Sequence, residues 1–384
     1  MPYPADLTST CRRLPVNAPI RRIAISTGGG DAPGLNAVIR ATVSAAMNRG
    51  WECVGIRDGY NGLLAPERYP QGGLIAFTRD RVRGISHLGG TILGTTNKGD
   101  PFHFPVTNPD GTMGERDRSD ELIECFARAG IDALVTVGGD GSLSIAHELH
   151  RKGMRVVGVP KTIDNDLDKT FTTFGFDTAV SFATECLDRL HSTAESHQRV
   201  MVVEMMGRYA GWIALHAGIA GGAHAILIPE IPFGLEPVAA KIRQRDALGR
   251  HYSVVVVAEG AMAHDGKRVL QAPAQGGHAE RLGGVGERVA SELGRLTGKE
   301  TRVVVLGHLL RGGSPTAFDR LAALRFGAAA MRALDEGHSG VMVSLAFPNV
   351  EYVPLVEVAG RMKTVPPDSD TVLTARDLGI CFGD

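Results

Sequence analysis

Residues 23–49 read IAISTGGGDAPGLNAVIRATVSAAMNR. A short apolar run enters a turn of glycines, and a stretch with apolar residues at helical spacing follows. The same succession recurs along the chain. LVTV at 134–137 runs into GGDGS at 138–142 and a helical stretch to about Lys152. VVGV at 156–159 runs into PKTIDND, and VMVV at 200–203 is soon followed by MMGRYAGW. VVVV at 254–257 leads to Ala258-Glu259-Gly260, and VVVL at 303–306 leads to GHLLRGGSP. These runs are continuously apolar rather than alternating, as parallel strands covered on both faces require. Strands alternating with helices predict an α/β protein of two doubly wound, Rossmann-like lobes with mostly parallel sheets. Ligands of such sheets bind beyond the carboxyl ends of the strands, and the unusual residues fall there.

The 384 residues are 43% hydrophobic and 22% charged, with a formal net charge of −1. That is the balance of a globular protein with a full core. It gives no overall field toward nucleic acid or an anionic membrane. Cys11, Cys53, Cys125, Cys186 and Cys381 are far apart and form no C-x-x-C pair, so a reduced cytoplasm is expected. No run of 18 apolar residues is present, so no transmembrane helix is expected. Residues 1–19 lack an apolar signal-peptide core and read as a flexible extension. Residues 99–120 and 263–284 read as long loops.

Three motifs carry chemistry. In GGGDAPGLN at 28–36 the glycines allow close backbone approach, and the following helix aims N–H groups at an anion. An unliganded strand-to-helix turn fits it equally well. No G-x-G-x-x-G fits here, which argues against a dinucleotide-binding dehydrogenase. In GGDGS the Asp140 carboxylate can hold Mg²⁺ between phosphate oxygens, or simply cap the next helix. Lipid and NAD kinases share this string but do not explain PKTIDND or GHLLRGGSP. PKTIDNDLD at 160–168 sets Asp164, Asp166 and Asp168 beside Lys161 and Thr162. A carboxylate there can accept a hydroxyl proton as the oxygen attacks phosphorus, although such a stretch also suits a surface turn. Arg199, Arg208, Arg302 and Arg311 stand at the ends of apolar runs, and their planar forks suit phosphate.

Taken together, the chain resembles the 6-phosphofructokinase family from about Arg21 to about Asp319. The resemblance rests on GGGDAPGLN, GGTILGTTNKG, GGDGS, PKTIDND, HQR, EMMGRYAGW, AEG and GHLLRGGSP, which occur in the family's order. It implies Asp164 as general base for the 1-hydroxyl of fructose 6-phosphate and Asp140 as the Mg²⁺ ligand. It also implies donor contacts at Gly29, Asn97, Lys98, Gly139, Asp140, Gly141 and Ser142. Thr162, Asp164, Asp166, Met206, Gly207, Arg208, Glu259, His308 and Arg311 would hold the sugar phosphate. Arg199 and Arg302 would complete a neighbouring subunit's site, which implies a homo-oligomer. A cleft between residues 20–175 plus about 307–340 (donor lobe) and 176–306 plus about 341–384 (sugar-phosphate lobe) would hold the reaction.

The phosphoryl donor divides the family at two positions. ATP users typically carry glycine at the places of 141 and 161, and pyrophosphate users aspartate and lysine. This chain has Gly141 and Lys161. A side chain at 141 would block the α-phosphate, whereas a flexible ammonium at 161 suits either donor. The expectation is therefore ATP, with pyrophosphate as the alternative. A non-catalytic sugar-phosphate-binding subunit would have lost Asp140, Asp164 or the arginines, and all are present.

Overall fold

The computed structural model describes residues 19–264, 266, 270–272 and 281–384. Residues 1–18 of the expected N-terminal extension, and most of 263–284, lie outside the described residues. Two parallel-centred sheets organise the rest. The larger has eight strands; across it run Asn349–Pro354, Val341–Ala346, Val156–Thr162, Ala133–Gly138, Arg22–Thr27, Glu52–Ile56 and Leu74–Ala76. The short strand Phe174–Gly175 pairs off this path with Lys161 and Thr162. The smaller sheet runs Ala225–Leu227, Ser253–Ala258, Val200–Met205 and Thr301–Val305, all parallel.

Every residue of Ala133–Gly138, Val156–Thr162, Val200–Met205 and Ser253–Ala258 is buried, which accounts for their apolar runs; Lys161, Thr162 and Glu204, toward the carboxyl ends, are buried with them. In the larger sheet the chain leaves Arg22–Thr27 on one side for Glu52–Ile56 and later returns on the other for Ala133–Gly138. The strand order therefore reverses between Arg22–Thr27 and Ala133–Gly138. Both glycine turns stand at this switch point, where open α/β sheets bind ligands. In the smaller sheet Val200–Met205 lies between Ser253–Ala258 and Thr301–Val305. Met206, Glu259 and the turn Gly307–Arg311 follow the carboxyl ends of these three strands.

Two expectations need correction. Strands Val341–Ala346 and Asn349–Pro354 form an antiparallel pair on the edge of the larger sheet rather than joining the second lobe. Only the chain beyond them crosses over. Leu355 and Val358 pack in a core of the larger sheet, whereas Val365, Val372 and Phe382 pack with the smaller one. The stretch 99–120 is not a plain loop either. It folds Phe104–Thr107 and Met113–Arg116 into a hairpin, with Phe104 buried.

The helix Leu35–Asn48, which begins at the first glycine turn, packs against Ala317–Asp335. Gly327 sets their separation. A Cβ there would stand 2.7 Å from Val38 O and 2.8 Å from the Ala41 Cβ. Alanine favours a helix by about 1 kcal/mol over glycine, but overpacking against backbone costs about 1–3 kcal/mol. Gly327→Ala is therefore expected to lower the midpoint of a urea titration. An unchanged midpoint would mean that the overpacking cost does not exceed the helix-propensity gain.

Candidate active site

The first glycine turn is held from several sides. Gly28 N–H donates to Val137 O at 3.0 Å and Gly29 N–H to Thr96 O at 3.1 Å, while the Thr95 hydroxyl donates to Gly29 O at 2.6 Å. Gly29 has φ +75°, a conformation that glycine adopts without strain. The GGTILGTTNKG segment thus lies along the turn, and Asn97 and Lys98 are exposed beside it. Lys161 closes the turn from below. Its buried Nζ donates to Gly28 O at 3.0 Å and also to Gly30 O. Burial, then repulsion from Arg311, pushes this ammonium down to about 8. Lys161 is thus committed to two carbonyls rather than free to turn toward a donor.

The second turn opens the helix Asp140–Arg151 with Gly139 in an extended conformation. The Ser142 side chain packs against Gly28 and Gly138 and so joins the two turns. Asp140 and Gly141 are exposed, and a Cβ on Gly141 would meet nothing within 4 Å. Among the described residues no three His, Cys, Asp or Glu side chains group as a metal site. Mg²⁺ needs no such cage, since one carboxylate plus substrate phosphates suffices. Exposed Asp140 beside the open Gly141 fits that requirement, with its Oδ1 accepting the Gly360 N–H at 2.8 Å.

PKTIDND leaves its strand at Thr162. The Asp164 N–H donates to Thr162 Oγ1 at 3.0 Å, and the Thr173 hydroxyl donates to Thr162 O at 2.7 Å. Asp164 is 7% exposed, and among the described residues its Oδ1 has no hydrogen-bond partner. Burial first, and the Asp166 charge second, raise its carboxyl to about 7. Arg311 and Arg208 oppose this rise, so both guanidinium groups act on Asp164. Asp166 is raised too, chiefly by burial, against a hydrogen bond from Thr162. Asp168 is part-exposed and accepts the Lys169 N–H.

The smaller sheet supplies the facing residues. Met206 is part-buried, and Gly207 has φ +151°, with Ala210 O 2.5 Å from where a Cβ would stand. Arg208 N–H donates to Glu259 Oε1 at 3.0 Å, and burial raises the Glu259 carboxyl. Arg311 donates to Asp31 O at 3.1 Å, which docks it on the first glycine turn. His308 is exposed on the same short helix, Gly307–Arg311.

Arg199 and Arg302 do not join this group. They pair with the two oxygens of Glu300, Arg199 at 2.6 Å. Both sit at the amino ends of their strands, and a six-residue strand spans roughly 20 Å. Sequence reading also missed Asp31, Thr96, Gly360 and Lys363. The last two lie in GRMKTVPP, which belongs to no recognisable motif.

The phosphofructokinase family model matches residues 22–334, more than half of the chain. The chain belongs to the phosphofructokinase family. It is 53% identical over 364 residues to an ATP-dependent 6-phosphofructokinase of Chloroflexus aggregans, covering 95% of this chain and 98% of that one. It is 48% identical over 351 residues to a pyrophosphate–fructose 6-phosphate 1-phosphotransferase of Amycolatopsis methanolica, covering 90% and 97%. The phosphofructokinase structure from Saccharomyces cerevisiae superposes with a TM-score of 0.72 at 32% identity. That match covers 88% of this chain, which spans only 45% of the yeast chain.

The Asp164 environment sets a pH signature on stability. Its folded-state carboxyl, at about 7, lies above the ordinary value near 4. The folded protein therefore holds this proton longer than the unfolded chain does. The Asp164 contribution to stability is most favourable at low pH and is lost as pH rises toward 7. Asp164→Asn is expected to raise the melting temperature over wild type at pH 8, with the gain vanishing near pH 4. Equal melting temperatures at pH 8 would mean that Arg208 and Arg311 already neutralise the buried charge.

Proposed function

We propose that the chain is a 6-phosphofructokinase that transfers the γ-phosphoryl of ATP to the 1-hydroxyl of fructose 6-phosphate. The observation that carries this reading is the buried Asp164, raised to about 7, with Arg208 and Arg311 acting on it, Arg311 docked on the first glycine turn and Gly141 open on the second. In this reading Asp164 accepts the proton of the attacking hydroxyl, and a pKa near neutrality suits a general base. The Thr162 hydroxyl orients the base by accepting the Asp164 backbone N–H. Arg208, Arg311 and Glu259 hold the sugar phosphate, with Met206, Gly207, Asp166 and His308 around it. Gly29, Asn97, Lys98, Gly139, Gly141 and Ser142 line the donor phosphates, with Asp140 as Mg²⁺ ligand. Bound Mg²⁺ would neutralise phosphate charge that otherwise repels the second polyanion. Positioning and charge stabilisation supply most of such a rate.

ATP is favoured by the relatives at 52–53% identity over 95% of the chain, which are named ATP-dependent. The open space around Gly141 supports the same choice. Pyrophosphate is the second reading, favoured by Lys161 and by the Amycolatopsis relative. The larger sheet is proposed as the donor lobe and the smaller as the sugar-phosphate lobe. Arg199 and Arg302, remote from Asp164, are proposed to reach a neighbouring copy's site in a homo-oligomer. The reading carries a cytoplasmic location.

Formation of fructose 1,6-bisphosphate with Mg²⁺ and either ATP or pyrophosphate tests the donor. Turnover is expected with ATP; turnover with pyrophosphate alone would overturn the choice. Gly141→Asp should fold normally, because nothing stands within 4 Å of the new Cβ, yet lose kcat/KM for ATP. Asp164→Ala should cost roughly 100–10,000-fold in kcat with little change in sugar-phosphate affinity. Equal losses in binding and turnover would exclude Asp164 as the base.

A further inference from the structure

After its last strand in the larger sheet the chain crosses to the smaller one through residues 355–365. Both ends are fixed. Leu355 and Val358 are fully buried, and Leu355 N–H donates to Gly340 O at 2.8 Å. At the far end Val365 N–H donates to Glu230 Oε1 at 2.9 Å. The same carboxylate accepts Gly211 N–H at 3.0 Å, at the start of the helix Trp212–Ala220.

Between these anchors the strap touches both segments that carry the acidic residues of the site. Gly360 N–H donates to Asp140 Oδ1, and Lys363 N–H donates to Asp166 O at 2.8 Å. The Lys363 ammonium reaches three oxygens of the base loop. They are Asn165 Oδ1 at 3.0 Å, Thr170 O at 3.0 Å and Phe171 O at 3.2 Å. Asn165, the neighbour of Asp164, has φ +51°, and its Oδ1 also accepts Thr173 N–H at 3.3 Å. One ammonium with three donors matches three converging acceptors. It closes the loop around the residue whose backbone conformation aims Asp164.

We propose that Lys363 is a positioning residue for the phosphoryl transfer, holding Asn165 and the 170–171 carbonyls so that Asp164 meets the sugar hydroxyl. The role rests on the functional reading above. Lys363 touches neither substrate in that reading and acts through Asn165. The Gly360 contact on the same strap fixes the Asp140 end. Donor and base segments are thereby held in register by four consecutive residues.

Purified wild type, Lys363→Met, Asn165→Gly and the double variant are compared by steady-state kinetics with fructose 6-phosphate and ATP. Glycine is chosen at 165 because φ +51° suits it without strain. Misplacing a reacting group by about 1 Å can cost on the order of 100-fold. Lys363→Met is expected to lower kcat on the order of 10–100-fold, with KM for the sugar phosphate within about twofold. The double variant should be no slower than Lys363→Met, because that substitution already breaks the Lys363–Asn165 bond. Emission from Trp212, whose Nε1–H donates to Lys363 O, and the melting temperature report on folding. A folded Lys363→Met enzyme with wild-type kcat overturns the proposal, as do additive losses in the double variant. Should Lys363→Met fail to fold, Asn165→Gly decides: wild-type kcat overturns the proposal and a kcat loss at unchanged KM supports it. An inactive wild type would instead overturn the functional reading, and this role with it.

Discussion

The arrangement at this site follows from one costly group, the buried Asp164 carboxylate. A charge taken out of water is expensive unless paired or hydrogen-bonded. Here the strongest charge effect comes from another carboxylate, Asp166, and Oδ1 accepts no hydrogen bond from the described residues. The surroundings answer with cations: Arg208 and Arg311 act on Asp164, and Lys363 on Asp166. None of them quenches the carboxyl, which stays near neutrality and so keeps its basicity. Strain and unpaired polar groups concentrate where function needs them, and stability is lost in exchange.

The lysines and arginines of the site divide the work by shape. Lys161 and Lys363 point single ammonium groups at converging backbone oxygens and stiffen loops. Both are pushed down to about 8 by burial, a shift that the compact, strongly hydrated ammonium undergoes readily. Arg311 keeps its fork beside the glycine turn, bound through one nitrogen to Asp31 O. Arg208 meets Glu259 through its backbone N–H, so its guanidinium is not used there. Loop stiffening thus rests on lysine, and the planar groups suited to phosphate stand at the cleft.

What was legible in the sequence was local. Each apolar run became a strand, buried throughout in the sheet centres but only partly in Thr301–Val305, where Val305 is exposed, and each glycine turn fell at a carboxyl end, because burial and tight turns leave marks within a few residues. The same holds for Asp164, Arg208, Glu259 and Arg311, which lie in the turns that follow the carboxyl ends of strands. Contacts across long separations left no such mark. Lys363 meets Asn165 across 198 positions, and Gly360 meets Asp140 across 220. The pair Val341–Ala346 and Asn349–Pro354 went to the wrong lobe for a related reason. Strand sequence records burial, not which sheet edge accepts the strand, and here the larger sheet takes both. The joint hold of Glu300 on Arg199 and Arg302 was equally invisible, although Glu300 is adjacent to Thr301 in sequence.

The mixed pair Gly141 and Lys161 looks contradictory only while both are read as donor contacts. The Lys161 ammonium is buried against Gly28 O and Gly30 O, so its first role is to hold the turn that a phosphate would approach. That role serves either donor. Residue 141 lies on the open side of the helix start, where a side chain would meet no protein atom and could collide only with what binds there. Charge at 161 is therefore a property of the scaffold, and space at 141 a property of the pocket. A donor longer than pyrophosphate needs the space, and nothing about the buried ammonium removes it. Under the proposed function this physical division assigns the choice of donor to the glycine rather than the lysine.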